Sequence, residues 1–171
     1  MWRAAGDKLP PASFGEDEMS PSTLLIASGV AVMMATGSAL AAEAPAAPSA
    51  ADKAANFSAA GFKAKGKDYT RCPDDDAPSH SPGAIEMQDL NGDGTAEAWV
   101  RESSTFCYGN TEQAFVLVAK GTDGKWTVLL DEVGVGTTTD KKHKGWLDIE
   151  VGGPGMGPFP VFHYNGKKYV K

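Results

Sequence analysis

Cysteine is scarce: Cys72 and Cys107 are the only two, and no Cys-x-x-Cys occurs, so a redox motif is unsupported. Excess positive charge is absent as well. Lys and Arg number 16 against 22 Asp and Glu, a formal net charge of -6, which leaves no basic stripe for nucleic acid. Mild acidity aids solubility and slightly favours cations at a carboxylate cluster. The glycine-rich residues 152–158 lack the Lys-Ser/Thr and the following helix that a phosphate loop requires. No nucleophile stands beside an evident base. Long helical periodicity is missing beyond Gly61.

What is present begins with a leader. Residues 24–41 carry no charge and end in small side chains, with Ala39 and Ala41 in an Ala-x-Ala pattern, the mark of a cleaved signal peptide over residues 1–41. Lys and Arg are missing just before the apolar run, which makes Met19 an alternative start. The competing reading is an uncleaved membrane anchor, since about 18 apolar residues stand at the spanning threshold. Ser28, Gly29, Thr36, Gly37 and Ser38 make that span a poor one. No cysteine follows at a lipobox position. The expectation is a periplasmic or secreted protein with no stable membrane span after cleavage. In an exported chain two lone cysteines pair, and Cys72–Cys107 would close a loop of roughly 35 residues, worth about 4 kcal/mol in the chain-entropy model. Two separate buried thiols are the alternative.

Residues 42–53 are Ala/Pro-rich and have little to bury, so they read as a disordered tether. A short helix over residues 54–60, stopped by Gly61, would dock through Phe57 and Phe62. The rest of the domain, residues 54–171, reads as β. Residues 115–119 are apolar on both faces, as a central strand is. Asp123-Gly124 is a hairpin signal, after which Trp126, Val128 and Leu130 alternate with Thr127, Leu129 and Asp131. Leu147, Ile149 and Val151 face one side of their strand, Asp148 and Glu150 the other. Asn165-Gly166 marks a terminal hairpin. A faint echo relates residues 97–126 to residues 148–169 at an offset of about 45–50 residues, near a propeller blade length. Two units are too few for a propeller, which needs about four. The fold class is therefore mainly β, a small antiparallel sandwich or open roll with a short N-terminal helix.

One motif carries chemistry. Residues 89–97 read Asp-Leu-Asn-Gly-Asp-Gly-Thr-Ala-Glu. Alternate oxygen-bearing side chains at loop positions 1, 3 and 5 converge on one point. Gly94 permits the sharp turn, and Thr95 offers its carbonyl, a set of hard donors suited to Ca²⁺. The opening matches an EF-hand loop, but position 12 is Val100 rather than Glu, and Pro82 and Gly83 oppose an incoming helix. Glu97 stands instead at position 9, just before a strand. An Asn/Asp/Gly-rich turn without metal is the plain alternative.

The pattern Asp-x-Asn-x-Asp-Gly-x-x-Glu followed by a strand resembles the calcium loops of FG-GAP/VCBS-type repeats. That resemblance implies Asp89, Asn91, Asp93 and Glu97 as side-chain ligands, Thr95 as a carbonyl ligand, and Ca²⁺ as the cofactor. Residues 57–171 also resemble small exported bacterial proteins of unassigned function, through Cys107-Tyr108-Gly109, Trp126, residues 146–155 and residues 165–169. This implies export and metal binding and supplies no activity.

Weaker groups read more simply. Asp74, Asp75 and Asp76 near His80 suit a solvated loop better than a second metal site. His143 among lysines reads as a solvated turn, and His163 as an ordinary strand histidine. Trp146 and Phe159 flank the glycine-rich stretch and are candidates for a binding surface. The leading expectation is a non-enzymatic, calcium-stabilised binding module with a protein or glycan partner. Its rival is a secreted inhibitor of a foreign hydrolase such as a lysozyme, inserting the loop of residues 152–158. A calcium-dependent hydrolase would need an acid, a base and a pocket that the sequence does not offer.

Overall fold

The computed structural model describes residues 47–153, 155 and 158–171. The signal peptide expected over residues 1–41 lies outside the described residues, as do Pro154, Met156 and Gly157. Among the described residues no helix is long and apolar enough to cross a membrane.

The first element, α1, spans Ala50–Ala59. It starts four residues earlier than expected, so residues 50–53 are helix rather than tether. The cause is a side-chain N-cap at Ser49, with Asp52 in the first turn. Ser49 Oγ accepts the Asp52 N–H at 3.1 Å and donates to Asp52 Oδ2 at 2.9 Å, which satisfies one of the first-turn N–H groups that otherwise lack partners. Asp52 also takes Lys120 Nζ at 2.8 Å and Trp126 Nε1 at 3.3 Å, so the cap ties the helix to the sheet beneath. At the other end Gly61 adopts φ +78° and Phe62 N–H reaches back to the Phe57 carbonyl at 2.8 Å, the expected glycine stop. Phe57 and Phe62 are buried against Ala98, Val100, Val116 and Val118.

A small hairpin follows, β1 (Lys63–Lys65) and β2 (Asp68–Thr70). Then come two antiparallel meanders of four strands. The first runs β3 (Ser81–Gln88), β4 (Glu97–Ser103), β5 (Gln113–Lys120) and β6 (Trp126–Val133), paired in chain order. The second runs β7 (Val135–His143), β8 (Trp146–Gly152), β9 (Val161–Tyr164) and β10 (Tyr169–Val170), again in chain order. Neighbours in sequence pair because loop closure costs little entropy over connections this modest, whether the tight β7–β8 turn or the longer link that carries α2. The echo seen in the sequence falls on corresponding strands: β4, β5 and β6 of the first meander match β8, β9 and β10 of the second.

The two sheets form a small sandwich. Trp99, Phe115, Leu117 and Leu130 from the first meet Ile149, Val151, Phe162 and Tyr169 from the second in one core. Each large side chain so buried contributes about 1.5–3 kcal/mol. The first sheet is covered on both faces, by α1 and by the second sheet, which explains why β5 is apolar throughout. Strand β6 departs from the expected alternation. Leu117 pairs with Leu130 but Val118 pairs with Val128, so Leu129 is an extra residue at a bulge, and Leu129 and Leu130 are both buried. A bulge shifts the pleat by one residue, and a period-2 reading across it must fail.

Between β4 and β5 lie α2 (Thr105–Tyr108), capped by Ser104, and a 3-10 turn over Gly109–Thr111. Cys107 of α2 forms a disulfide with Cys72, the Cα atoms 6.1 Å apart. The expected pairing is present.

Candidate functional site

Residues 89–96 connect β3 to β4, so a strand and not a helix enters the acidic loop. Gly92 and Gly94 adopt φ of +81° and +85°, the left-handed region that glycine enters without strain. The loop is wound by its own side chains. Asp89 accepts the N–H groups of Gly92 at 2.7 Å and Gly94 at 2.9 Å, Asn91 Oδ1 accepts Asp93 N–H at 2.7 Å, and Asp93 Oδ1 accepts Thr95 N–H at 2.7 Å. Asn91 Nδ2 donates to Asp93 Oδ2 at 2.9 Å. In turns of this kind a side-chain oxygen accepts a backbone N–H a few residues on, which sets the path of the loop.

Glu97 closes the loop from a different environment. Period 2 along β4 puts it on the same face as Trp99, toward the core between the sheets, and it is only 3% exposed. Its Oε2 accepts the Leu90 N–H at 2.8 Å. Burial pushes the Glu97 carboxyl up to about 7, and the charges of Asp89 and Asp93 add to that push against the Leu90 hydrogen bond. A buried carboxylate beside two more carboxylates is costly when all are ionised, and a divalent cation removes that cost. The donors are all oxygen, so Asp89, Asn91, Asp93 and Glu97 fit a hard cation by type, with the Thr95 carbonyl as a fifth donor.

The loop borders a cavity of about 500 Å³ lined by Asn91, Asp93, Glu97, Trp146, Tyr164 and Lys167 among others. Trp146 and Tyr164 stack there with ring centroids 4.4 Å apart. Phe159, 39% exposed, borders a different hollow of about 400 Å³ with Val151, Gly152 and Pro160. Trp146 opens β8 and Phe159 packs beside Gly152 at its far end, a strand length of roughly 20 Å away. The two candidate binding-surface residues thus line separate hollows. The glycine-rich stretch between them lies partly outside the described residues.

The Asp74–Asp76 region also differs from expectation. Asp75 is buried, taking Ser104 Oγ at 2.6 Å and Ala77 N–H at 2.9 Å. Beside it the buried Glu102 accepts from Thr70 Oγ1, Tyr108 OH, His80 Nε2 at 3.2 Å and the Arg71 N–H at 3.2 Å. Burial raises the Glu102 carboxyl, but these donors together bring it below its ordinary range. This is a saturated polar network around the disulfide, which holds residues 71–80 against β4.

Sequence reasoning missed a third group. Asp148, on the outer face of β8, has a side chain with no exposed surface, contacted by His143 Nδ1 at 2.6 Å and His163 Nδ1 at 3.0 Å. The two imidazoles lie 4.1 Å apart, centroid to centroid. Among the described residues this is the group of three acid, thiol or imidazole side chains whose ligand atoms lie within 4.8 Å of one another; the acids of the loop are not drawn so close. Burial raises the Asp148 carboxyl, but the two imidazoles outweigh it and hold the group low. The available signal was that Asp148 and His163 both stand at outward positions of consecutive strands.

No protein-family model matches the chain, and no curated protein or solved structure was found to be similar to it.

Proposed function

We propose that the chain is an exported, calcium-stabilised, non-catalytic binding module. Ca²⁺ would be held by Asp89, Asn91, Asp93 and Glu97, with the Thr95 carbonyl completing the set. The observation that carries this reading is Glu97, a carboxylate buried at the rim of the sandwich core and crowded by Asp89 and Asp93. The leader of residues 1–41 and the disulfide, which persists in oxidising compartments, support a periplasmic or secreted location. The ion's role is structural: it neutralises the loop and fixes the start of β4. The cavity between the loop and the Trp146–Tyr164 stack is the docking place for a protein or glycan partner, since aromatic walls with a few polar groups suit such ligands.

The deciding experiment is a thermal melt of the oxidised protein in millimolar Ca²⁺ and in chelator. At 100 times the dissociation constant Ca²⁺ adds about 2.7 kcal/mol, and Mg²⁺, which demands tighter octahedral geometry, adds much less. Asp93→Ala is expected to remove the calcium response. A response that survives in that variant, or no response in the parent protein, refutes the assignment.

A further inference from the structure

The echo between the two meanders places the β3–β4 connection and the β7–β8 turn at corresponding points of their sheets. The first carries oxygen donors. The second is a tight turn through Lys144 (φ +50°) and Gly145 (φ +86°), and it carries His143 and Asp148 on its two flanks, with His163 arriving from β9. Three features of this group exceed what an ion pair needs. Asp148 has no exposed side-chain surface, yet its Oδ2 has no hydrogen-bond partner. His163 Nδ1 is likewise buried and without a hydrogen bond, although it lies 3.0 Å from that same oxygen. Two buried polar atoms thus stand 3.0 Å apart without a hydrogen bond between them, an arrangement that leaves both free to take a further partner. Finally, both imidazoles turn their Nδ1 atoms toward the same carboxylate from strands on either side of it.

We propose that His143, Asp148 and His163 form a second cation site, chemically distinct from the acidic loop, which takes a borderline divalent transition metal such as Zn²⁺. Two imidazoles and one carboxylate are a donor set for Zn²⁺ rather than Ca²⁺. Tetrahedral Zn²⁺ with bonds near 2.0–2.1 Å spaces its ligand atoms by roughly 3.3 Å. The existing separations, 2.6 Å from His143 Nδ1 to Oδ1 and 3.0 Å from His163 Nδ1 to Oδ2, are shorter than that value, so the rings must move outward around whichever oxygen binds the ion. His143 and His163 are 51% and 39% exposed at the side chain, so they have room to make them and the fourth position opens to solvent. The neighbouring Lys144 commits its ammonium to the Asn165 carbonyl at 2.6 Å.

The test is calorimetric titration of Zn²⁺ into the chelator-stripped, oxidised protein, with Co²⁺ absorption as a report on coordination. One equivalent is expected, with the visible spectrum of a four-coordinate nitrogen/oxygen site. His143→Ala, at a half-exposed position and expected to fold, weakens binding at least tenfold, and His163→Ala does the same. Asp93→Ala leaves Zn²⁺ binding intact, so this site and the calcium loop stand or fall separately. Absence of stoichiometric binding, or binding that survives both histidine substitutions, overturns the proposal and leaves the pair of histidines as a clamp on Asp148. Should either variant melt too low to titrate, imidazole NMR shifts of the parent protein on Zn²⁺ addition decide the matter: no selective shift of His143 and His163 overturns it equally.

Discussion

The Leu147 N–H donates to the Leu90 carbonyl at 2.9 Å, joining the acidic loop of the first sheet to the second residue of β8 in the other. Leu90 also gives its own N–H to Glu97. One residue is thus held by the loop's terminal acid on one side and by the second sheet on the other. Anything that firms the loop also firms the junction between the sheets.

This linkage predicts an effect at a distance from the ion. Calcium at 100 times its dissociation constant is expected to slow hydrogen exchange of the Leu147 amide by up to about 100-fold, the factor equivalent to the gain in stability. Amides of β1 and β2, which belong to a separate hairpin, are expected to gain less, since local opening of that hairpin leaves the loop bound. Equal protection at Leu147 with and without calcium, under conditions where the loop is saturated, would show that the loop and the junction open independently.

Glu97 sets a pH dependence. Its folded carboxyl is raised from an ordinary 4.5 to about 7, so without a divalent ion the native state holds a proton that the unfolded chain has already lost. Stability from this group is therefore full below about 4.5 and falls as pH rises toward 7, by at most on the order of 3 kcal/mol. Glu97→Gln is expected to flatten that decline in chelator. In the parent protein protons and Ca²⁺ compete for the same oxygens, so calcium affinity rises with pH through about 7. Denaturant melts at pH 4.5, 6 and 7.5, with calcium and with chelator, measure both slopes. A chelator-treated protein that grows more stable over that range contradicts the assignment to Glu97.

Glu102 behaves in the opposite sense. Its donors hold the folded carboxyl below the ordinary range, so its contribution is present above the unfolded value and lost as pH falls through the folded one. Glu102→Gln would turn an amide NH₂ toward groups that already donate, Thr70, Tyr108 and the Arg71 N–H. A loss of about 3 kcal/mol follows from disrupting a buried charged network, together with a shallower acid limb. Melts of the oxidised variant from pH 3 to 7 check this, and a loss below 1 kcal/mol would mean the network is solvated in solution.

Much of the sandwich is legible from local pattern. β5 reads as a central strand because it is apolar on both faces, and β9 with β10 reads as a hairpin because Asn165-Gly166 supplies the turn. The faint echo turned out to mark corresponding strands of two meanders. The misses have physical reasons. The start of α1 depends on Ser49 and Asp52, a capping signal hidden in an Ala/Pro-rich stretch that otherwise looks like tether. The bulge at Leu129 is set by pairing with β5, and no local pattern announces it. His143, Asp148 and His163 come from three strands, and their meeting depends on cross-strand register. Alternation places Asp148 on the face opposite Ile149 but does not say what covers that face.

The tight join between the sheets yields the sharpest packing prediction. Gly136 on β7 faces the first sheet, and a Cβ placed there would stand 2.7 Å from Phe115 Cζ and 2.8 Å from Trp99 Cζ3. Both rings are buried in the core, so neither can swing into solvent, and the second sheet must lift or the rings must leave their rotamers. Gly136→Ala is therefore expected to cost about 1–3 kcal/mol, although alanine normally stabilises a strand position relative to glycine. Gly153→Ala is the matched control, since its nearest neighbour would be Thr111 Cγ2 at an ordinary 3.7 Å, and it should change stability by about 0.5 kcal/mol or less. Because the junction also anchors Leu90 through Leu147, Gly136→Ala should weaken calcium binding as well, while Gly153→Ala should not. Finding Gly136→Ala as stable as the parent would mean that the sheets sit farther apart than the contacts of Trp99 and Phe115 require.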